Sequence, residues 1–219
     1  MTFTVPDFLS PEAVVELRSQ LKTAEWSDGK LTAGWHAKGV KQNQQLSAKQ
    51  SIAETLAQQV RQTILAHPLI KAAARPRKIH TIRFNRYETG MAYGRHTDDA
   101  LMRGRRSDLS FTLFLSDPEQ YEGGELVVES MDSEQFYKLP AGSMLVYPSS
   151  SLHRVDEVTS GVRWAAIGWM ESQVRSPDQR ELLFELDTAR RSLFKKYGKT
   201  DEFDLITKSL NNLLRQWAD

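Results

Sequence analysis

The sequence predicts an α+β protein whose β core, a sandwich or jelly roll, lies between helical flanks. Three observations carry that prediction. Apolar residues at helical spacing dominate the first third of the chain. Short apolar or alternating runs then recur between turn signals from Ile79 to Met170. Helical periodicity returns from about Pro177. The organisation expected is a mostly helical support region at residues 1–76, a β core at 77–174 and a helical extension at 175–219.

The first helix is expected to start at Ser10-Pro11, an N-cap followed by proline at the first helical position, with Asp7 and Glu12 at its positive end. Val14, Leu17 and Leu21 form its apolar stripe. Glycines 29, 34 and 39 mark a loop or short-strand region around Trp26 and Trp35. A second helix is expected from Ser47 to Ala66, with Ile52, Leu56, Val60 and Ile64 on one face and Pro68 ending it. Strands are expected at Ile79–Tyr87, Leu109–Leu115, Glu125–Glu129, Gln135–Leu139, Ser143–Tyr147 and Val162–Met170. Asp117-Pro118, Gly123-Gly124, Pro140-Ala141-Gly142 and Ser160-Gly161 punctuate them. Many short strands at this spacing suit a sandwich or jelly roll. The C-terminal helices carry Leu182, Leu183, Leu186 and then Ile206, Leu210, Leu213, with a break near Tyr197-Gly198.

Composition narrows the chemistry. The chain has 219 residues, 40% hydrophobic and 26% charged, the balance of a soluble globular protein. Lys+Arg 29 against Asp+Glu 28 leaves a net charge of +1, which argues against nucleic acid or a membrane surface as partner. No stretch approaches the roughly 18 apolar residues of a membrane span. Met1 to Asp7 lacks the basic head and apolar run of a signal peptide, so a cytoplasmic address is expected. Cysteine is absent, which removes disulfides, thiolate metal sites and thiol nucleophiles together. Any metal must be held by carboxylates and the five histidines, His36, His67, His80, His96 and His153.

Among these, His96-Thr97-Asp98 places two ligand types on one face of an extended segment, because side chains at i and i+2 point the same way. His153 follows the apolar strand Ser143–Tyr147. Two histidines and a carboxylate leave three coordination positions open and suit non-haem Fe(II). Arg163 lies ten residues past His153, across the Thr159-Ser160-Gly161 turn. If its strand pairs back along the His153 segment, Arg163 lies on a neighbouring strand; alternation puts Arg163, Ala165, Ile167 and Trp169 on one face, where a guanidinium can hold a dicarboxylate's far end. Each residue alone also fits a plainer role: a loop histidine beside a solvated acid, a core histidine, or a rim arginine paired with Glu157 or Glu171.

Together the motifs resemble a family. Asn85-Arg86-Tyr87-Glu88-Thr89-Gly90-Met91-Ala92-Tyr93-Gly94-Arg95-His96-Thr97-Asp98 is similar to the R-Y-x-x-G-x-x-Y-x-x-H-x-D run of prolyl 4-hydroxylases, Fe(II)- and 2-oxoglutarate-dependent dioxygenases. Gly123-Gly124-Glu125-Leu126, Leu139-Pro140-Ala141-Gly142 and Tyr147 to Val155 resemble the bacterial PKHD-type hydroxylases in particular. The resemblance implies a double-stranded β-helix, with His96, Asp98 and His153 as iron ligands. It implies that Arg163 pairs with the C5 carboxylate of 2-oxoglutarate, that Tyr87 contacts this cosubstrate and that Trp169 flanks its pocket. Tyr93 and Tyr147 would be wall residues. The activity implied is hydroxylation with release of succinate and CO2, with L-ascorbate as a rescuing reductant. The substrate implied is small or peptidyl: a prolyl residue by analogy, or a molecule tied to iron uptake.

Two departures stand out. Asp99-Ala100 replaces the family's Asn-Ala, and Leu101–Ser107 is short for a loop expected at the barrel mouth. Asp99 is not expected to replace Asp98, since adjacent strand residues face opposite ways. Rival functions are a nucleic-acid demethylase using Arg75-Pro76-Arg77-Lys78 and Arg103-Gly104-Arg105-Arg106, or a cupin-like metal sensor, which gives Arg163 no role. The apolar stripes of the C-terminal helices suit packing on the barrel or a homodimer interface, and the resemblance favours the homodimer.

Overall fold

The computed structural model describes residues 1–32, 34, 35 and 37–219. In chain order the elements are β1 (Phe3–Val5), α1 (Pro11–Lys22), β2 (Trp26–Asp28), β3 (Lys41–Gln42), β4 (Gln44–Leu46), α2 (Ser51–Ala66) and α3 (Pro68–Ala73). There follow β5 (Pro76–Ile79), β6 (Arg83–Glu88), β7 (Ala92–His96), β8 (Leu101–Met102), β9 (Arg105–Arg106) and β10 (Leu109–Phe114). The core closes with β11 (Tyr121–Gly123), β12 (Leu126–Glu129), β13 (Glu134–Tyr137), β14 (Met144–Pro148), β15 (His153–Val155) and β16 (Val158–Ser172); α4 (Pro177–Tyr197) and α5 (Asp201–Trp217) end the chain.

Two antiparallel sheets face each other. The larger runs β1-β14-β10-β16-β6-β4-β2, with β5 and β11 also on β16; the smaller runs β13-β12-β15-β7-β3. This is the jelly-roll core of an α+β fold. Alternation along the larger sheet sorts its residues. Phe84, Phe111, Leu113, Met144, Val146, Trp164, Ala166 and Met170 point to α1 and α2, where Leu17, Leu21, Leu56, Val60 and Ile64 complete one core. Fully burying each such side chain contributes about 1.5–3 kcal/mol. The opposite face carries Tyr87, Phe114, Leu145 and Tyr147, which meet Leu126, Val128 and Val155 of the smaller sheet. Arg163, registered with Tyr87, therefore also faces the space between the sheets.

Several expectations change in detail. The first helix begins as expected, its N-cap Ser10 accepting from the Ala13 N–H at 3.3 Å. The second starts at Ser51 rather than Ser47, because Ser47 N–H bonds Glu25 O and the Gln50 amide brackets Glu25, fixing that segment beside β2. Pro68 does end α2, and it also opens the short α3. Ser160-Gly161 is no turn. Gly161, at φ 76, bends a continuous β16, and β11 pairs there. Nor does β16 pair with the His153 strand: β15 lies between β12 and β7, so Arg163 faces His153 from the opposite sheet.

Candidate active site

His96 and His153 stand opposite each other in the register of β7 and β15. A bulge at Gly94-Arg95, opposite Arg154, lets Tyr93 and His96 both face inward although three residues apart. Their rings stack at 3.7 Å. A Cβ on Gly94 would sit 2.7 Å from Val40 Cβ, so the bulge needs glycine. Asp98 lies just past the end of β7, and one ligand atom from each of His96, Asp98 and His153 lies within 4.8 Å of the others. His153 Nε2 is 3.7 Å from Asp98 Oδ2. Small side-chain rotations bring such atoms onto ligand bonds of about 2.1 Å. Asp99 is exposed.

The tautomers are set by backbone. His96 Nδ1 lies 2.8 Å from Gly94 O and His153 Nδ1 3.0 Å from Ser151 O. A carbonyl only accepts, so Nδ1 carries the proton and the Nε2 lone pair points to the ion. Burial, then the neighbouring His153, push His96 down to about 4, which keeps the imidazole neutral and ligating near pH 7. Asp98 is oriented by a chain of buried hydroxyls. Ser110 Oγ donates to Asp98 Oδ2 at 2.6 Å, and Ser149 Oγ bridges Ser110 (2.8 Å) and Ser107 (3.0 Å).

Arg163 is 1% exposed, and its guanidinium lies 5.3 Å from the Tyr87 ring and 5.4 Å from that of Phe114. Its Nε and Nη2 are buried without a hydrogen-bond partner. A guanidinium in that state calls for an anion. Gly124, at φ 66, backs it: an added Cβ would lie 3.1 Å from Arg163 Cδ and 2.8 Å from Val158 Cγ2. Trp169 is 7% exposed, and its Nε1 is likewise unpartnered. Tyr147 meets His153 edge-on at 5.1 Å. Arg163, Tyr87, Trp169, Tyr147 and the three residues His96, Asp98 and His153 line one cavity of about 680 Å³. The donor set and the unpartnered guanidinium fit an Fe(II) ion and the dicarboxylate 2-oxoglutarate.

Residue types at motif spacing did not reveal Ser110, Ser149, Lys41 or Arg83, which also line or support the cavity. One signal was present: Ser110 and Thr112 are polar at alternate positions of a strand otherwise wholly apolar. Leu101–Ser107 forms the β8–β9 hairpin over Arg103-Gly104, both at positive φ, and Leu101, Met102 and Arg103 line the cavity. Two arginines of the basic run there are paired. Arg105 meets Glu171 at 3.1 Å, and Arg106 meets Asp219 at 2.8 Å and Asp108 at 3.3 Å. His80 Nε2 bonds Arg106 O, and His67 caps α2; His36 lies outside the described residues.

Comparison with known proteins agrees with this geometry. Residues 82–171 match the family model of the 2OG-Fe(II) oxygenase superfamily, and residues 178–219 match the PKHD-type hydroxylase C-terminal domain. A PKHD-type hydroxylase of Picosynechococcus is 56% identical, and one of Acaryochloris marina 57%, each over all of both chains. Among solved structures, a Pseudomonas putida prolyl-4-hydroxylase superposes with a TM-score of 0.56 at 20% identity, covering 78% of this chain and 92% of that one. A Trichoplax adhaerens prolyl hydroxylase gives 0.57 at 12% identity, covering 83% and 86%. These likenesses are to the fold. Among the described residues, no helix is long and apolar enough to cross a membrane.

Proposed function

Since the chain belongs to the PKHD-type hydroxylases of the 2OG-Fe(II) oxygenase superfamily, we propose that it hydroxylates its substrate at an iron held by His96, Asp98 and His153, with Arg163 holding 2-oxoglutarate. Bound there, Fe(II) and 2-oxoglutarate supply oxidative hydroxylation, with release of succinate and CO2. The protein's own part is orientation. Gly94 O and Ser151 O fix both imidazoles with Nε2 toward the ion, and Ser110 holds Asp98 Oδ2. Arg163 would hold the far carboxylate with its unpartnered Nε and Nη2 donors, beside the Tyr87 and Phe114 rings. Trp169 and Tyr147 wall the reacting end.

One observation carries the reading: a fully buried guanidinium with two donor nitrogens unpartnered, in the cavity that also holds the two histidines and the carboxylate. A metal sensor gives it no role. Of the basic clusters a demethylase would draw on, Arg105 and Arg106 are held in ion pairs, while Arg77, Lys78 and Arg103 form none among the described residues. The substrate belongs to the proposal by class only: a prolyl-containing peptide or a small molecule connected with iron uptake, in a cytoplasmic enzyme that ascorbate re-reduces. The expected homodimer through α4 and α5 draws support from exposed Leu182, Phe194, Tyr197 and Leu205, and a monomer in sedimentation would overturn it.

Incubation with Fe(II), 2-oxoglutarate, O2 and a cell extract tests the activity. Succinate is expected from the native protein and not from His96→Ala. Absence of succinate from iron-loaded native protein would overturn the reading.

A further inference from the structure

Besides Arg163, the cavity is lined by four cations that iron and 2-oxoglutarate leave unused, Lys41, Lys49, Arg83 and Arg103, and two of them converge. Lys41, on the edge strand β3, is 3% exposed, with its Nζ 5.0 Å from the Tyr93 ring centroid. Arg83, on β6 in the facing sheet, lies over the Trp169 ring at 5.5 Å. Both reach one residue: Lys41 Nζ donates to Thr32 Oγ1 at 3.3 Å, and Arg83 Nη1 to Thr32 O at 3.4 Å. Among the described residues neither forms an ion pair, although Asp28 and Asp98 lie near enough to favour the Lys41 charge. Lys41 Nζ and the Arg83 guanidinium thus converge on Thr32 as two like charges, which costs free energy unless an anion joins them. Burial, then Arg83, push Lys41 down to about 8, so it is still mainly charged near neutrality.

Arg163 does not serve the same anion. Its register partner on β6 is Tyr87, four residues from Arg83, or about 13 Å along the strand. The cation pair instead adjoins the metal, since Tyr93 touches Lys41 and stacks on His96, and Trp169 under Arg83 pairs with Ser110, the partner of Asp98. On the oxygenase reading, on which this rests, that is where the molecule to be oxidised must lie. We propose that Lys41 and Arg83 form the anion-binding end of the primary-substrate site, so that the molecule hydroxylated here carries a carboxylate or phosphate group close to the oxidised carbon. An uncharged substrate would leave both cations unmatched.

The test loads the native protein with redox-inert Zn(II), saturates it with 2-oxoglutarate so that Arg163 is occupied, and titrates it calorimetrically with inorganic phosphate and separately with acetate. At least one anion is expected to bind one-to-one, and the one that binds more tightly identifies the group. Its affinity should fall about tenfold or more in Lys41→Met and in Arg83→Gln, with recovery in Lys41→Arg. The affinity of these variants for 2-oxoglutarate should stay within about twofold of native, because the sites are separate. No binding of either anion, or equal binding by the variants, overturns the proposal. If Lys41→Met melts well below native in anion-free buffer, Lys41 also supports the fold, and anion binding by Arg83→Gln then decides the proposal. If 2-oxoglutarate itself fails to bind, the oxygenase reading falls. The anion titration of the zinc-only protein then judges the cation pair by itself.

Discussion

Ser110 sits in a strand that is buried throughout, and its hydroxyl donates to the Asp98 oxygen that also lies nearest His153. Removing it leaves the carboxylate free to rotate. Ser110→Ala is therefore expected to weaken metal binding by about 10–100-fold while the fold persists, as for other residues that orient ligands; competition with a chelator measures it. Lys41 gives a pH signature. Its folded value, about 8, lies below the ordinary 10.5, so below pH 8 the full penalty of a buried charge weighs on the folded state. As pH rises from about 8 to 10.5 the unfolded chain still binds the proton and the folded one does not, so native stability rises relative to Lys41→Met. The change is on the order of 3 kcal/mol at most, and denaturant titrations at pH 7.5 and 10.5 read it. A constant difference between the two proteins would refute it. The cluster of His96, Asp98 and His153 was legible because the ordered set of motifs around it resembles a family, whereas His-x-Asp alone is a weak pattern. Lys41 and Ser110 were not, because a lysine or serine means nothing until the fold shows which face it occupies.

At the scale of elements, β16 does most of the positioning. Its fifteen residues pair with β10, β6, β5 and β11, and alternation sends Arg163 and Trp169 to the site and Trp164 and Met170 to the helix-side core. The sequence reading placed a turn at Gly161 because a glycine at positive φ looks alike in a turn and in a bent strand. The strands around it were readable from their apolar runs, whereas their pairing partners depend on contacts distant in sequence. Two glycine substitutions separate bending from site building. Gly161→Ala puts a Cβ against the Gln120 carbonyl at φ 76 and should cost roughly 2–4 kcal/mol of stability. Gly124→Ala is strained in backbone too, but its added methyl also crowds Arg163 Cδ. It is expected to weaken 2-oxoglutarate binding beyond what its loss of stability predicts, whereas Gly161→Ala should leave the bound fraction of folded protein unchanged. Calorimetric titration of both variants checks the contrast.

Across the whole molecule, the C-terminal helices connect to the metal centre through polar contacts. Asp219 pairs with Arg106, and Arg106 pairs with Asp108. Asp108 O accepts from Ser149 N–H at 3.2 Å, and the Ser149 hydroxyl meets Ser110, which holds Asp98. Apolar packing anchors this path, with Val174, Leu183 and Leu210 buried under Leu213, Leu214 and Trp217, and with the Val174–Ala218 bridge closing the end. The helices were visible as stripes in the sequence, but their docking was not, since a stripe states what must be covered and not by what. A deletion and a substitution tell packing from polar contact. Removing residues 199–219 exposes Val174 and Leu183 and should destabilise the protein by several kcal/mol, at about 1.5–3 kcal/mol per buried apolar side chain lost. Asp219→Ala keeps the packing and frees Arg106. It should change unfolding by about 1 kcal/mol or less, because that ion pair is partly exposed. If the polar path matters to the site, Asp219→Ala also weakens metal affinity measurably while Lys199→Ala, whose partner Asp204 lies in the first turn of α5, does not. Equal metal affinities in the two variants would confine the C-terminal helices to covering the β core.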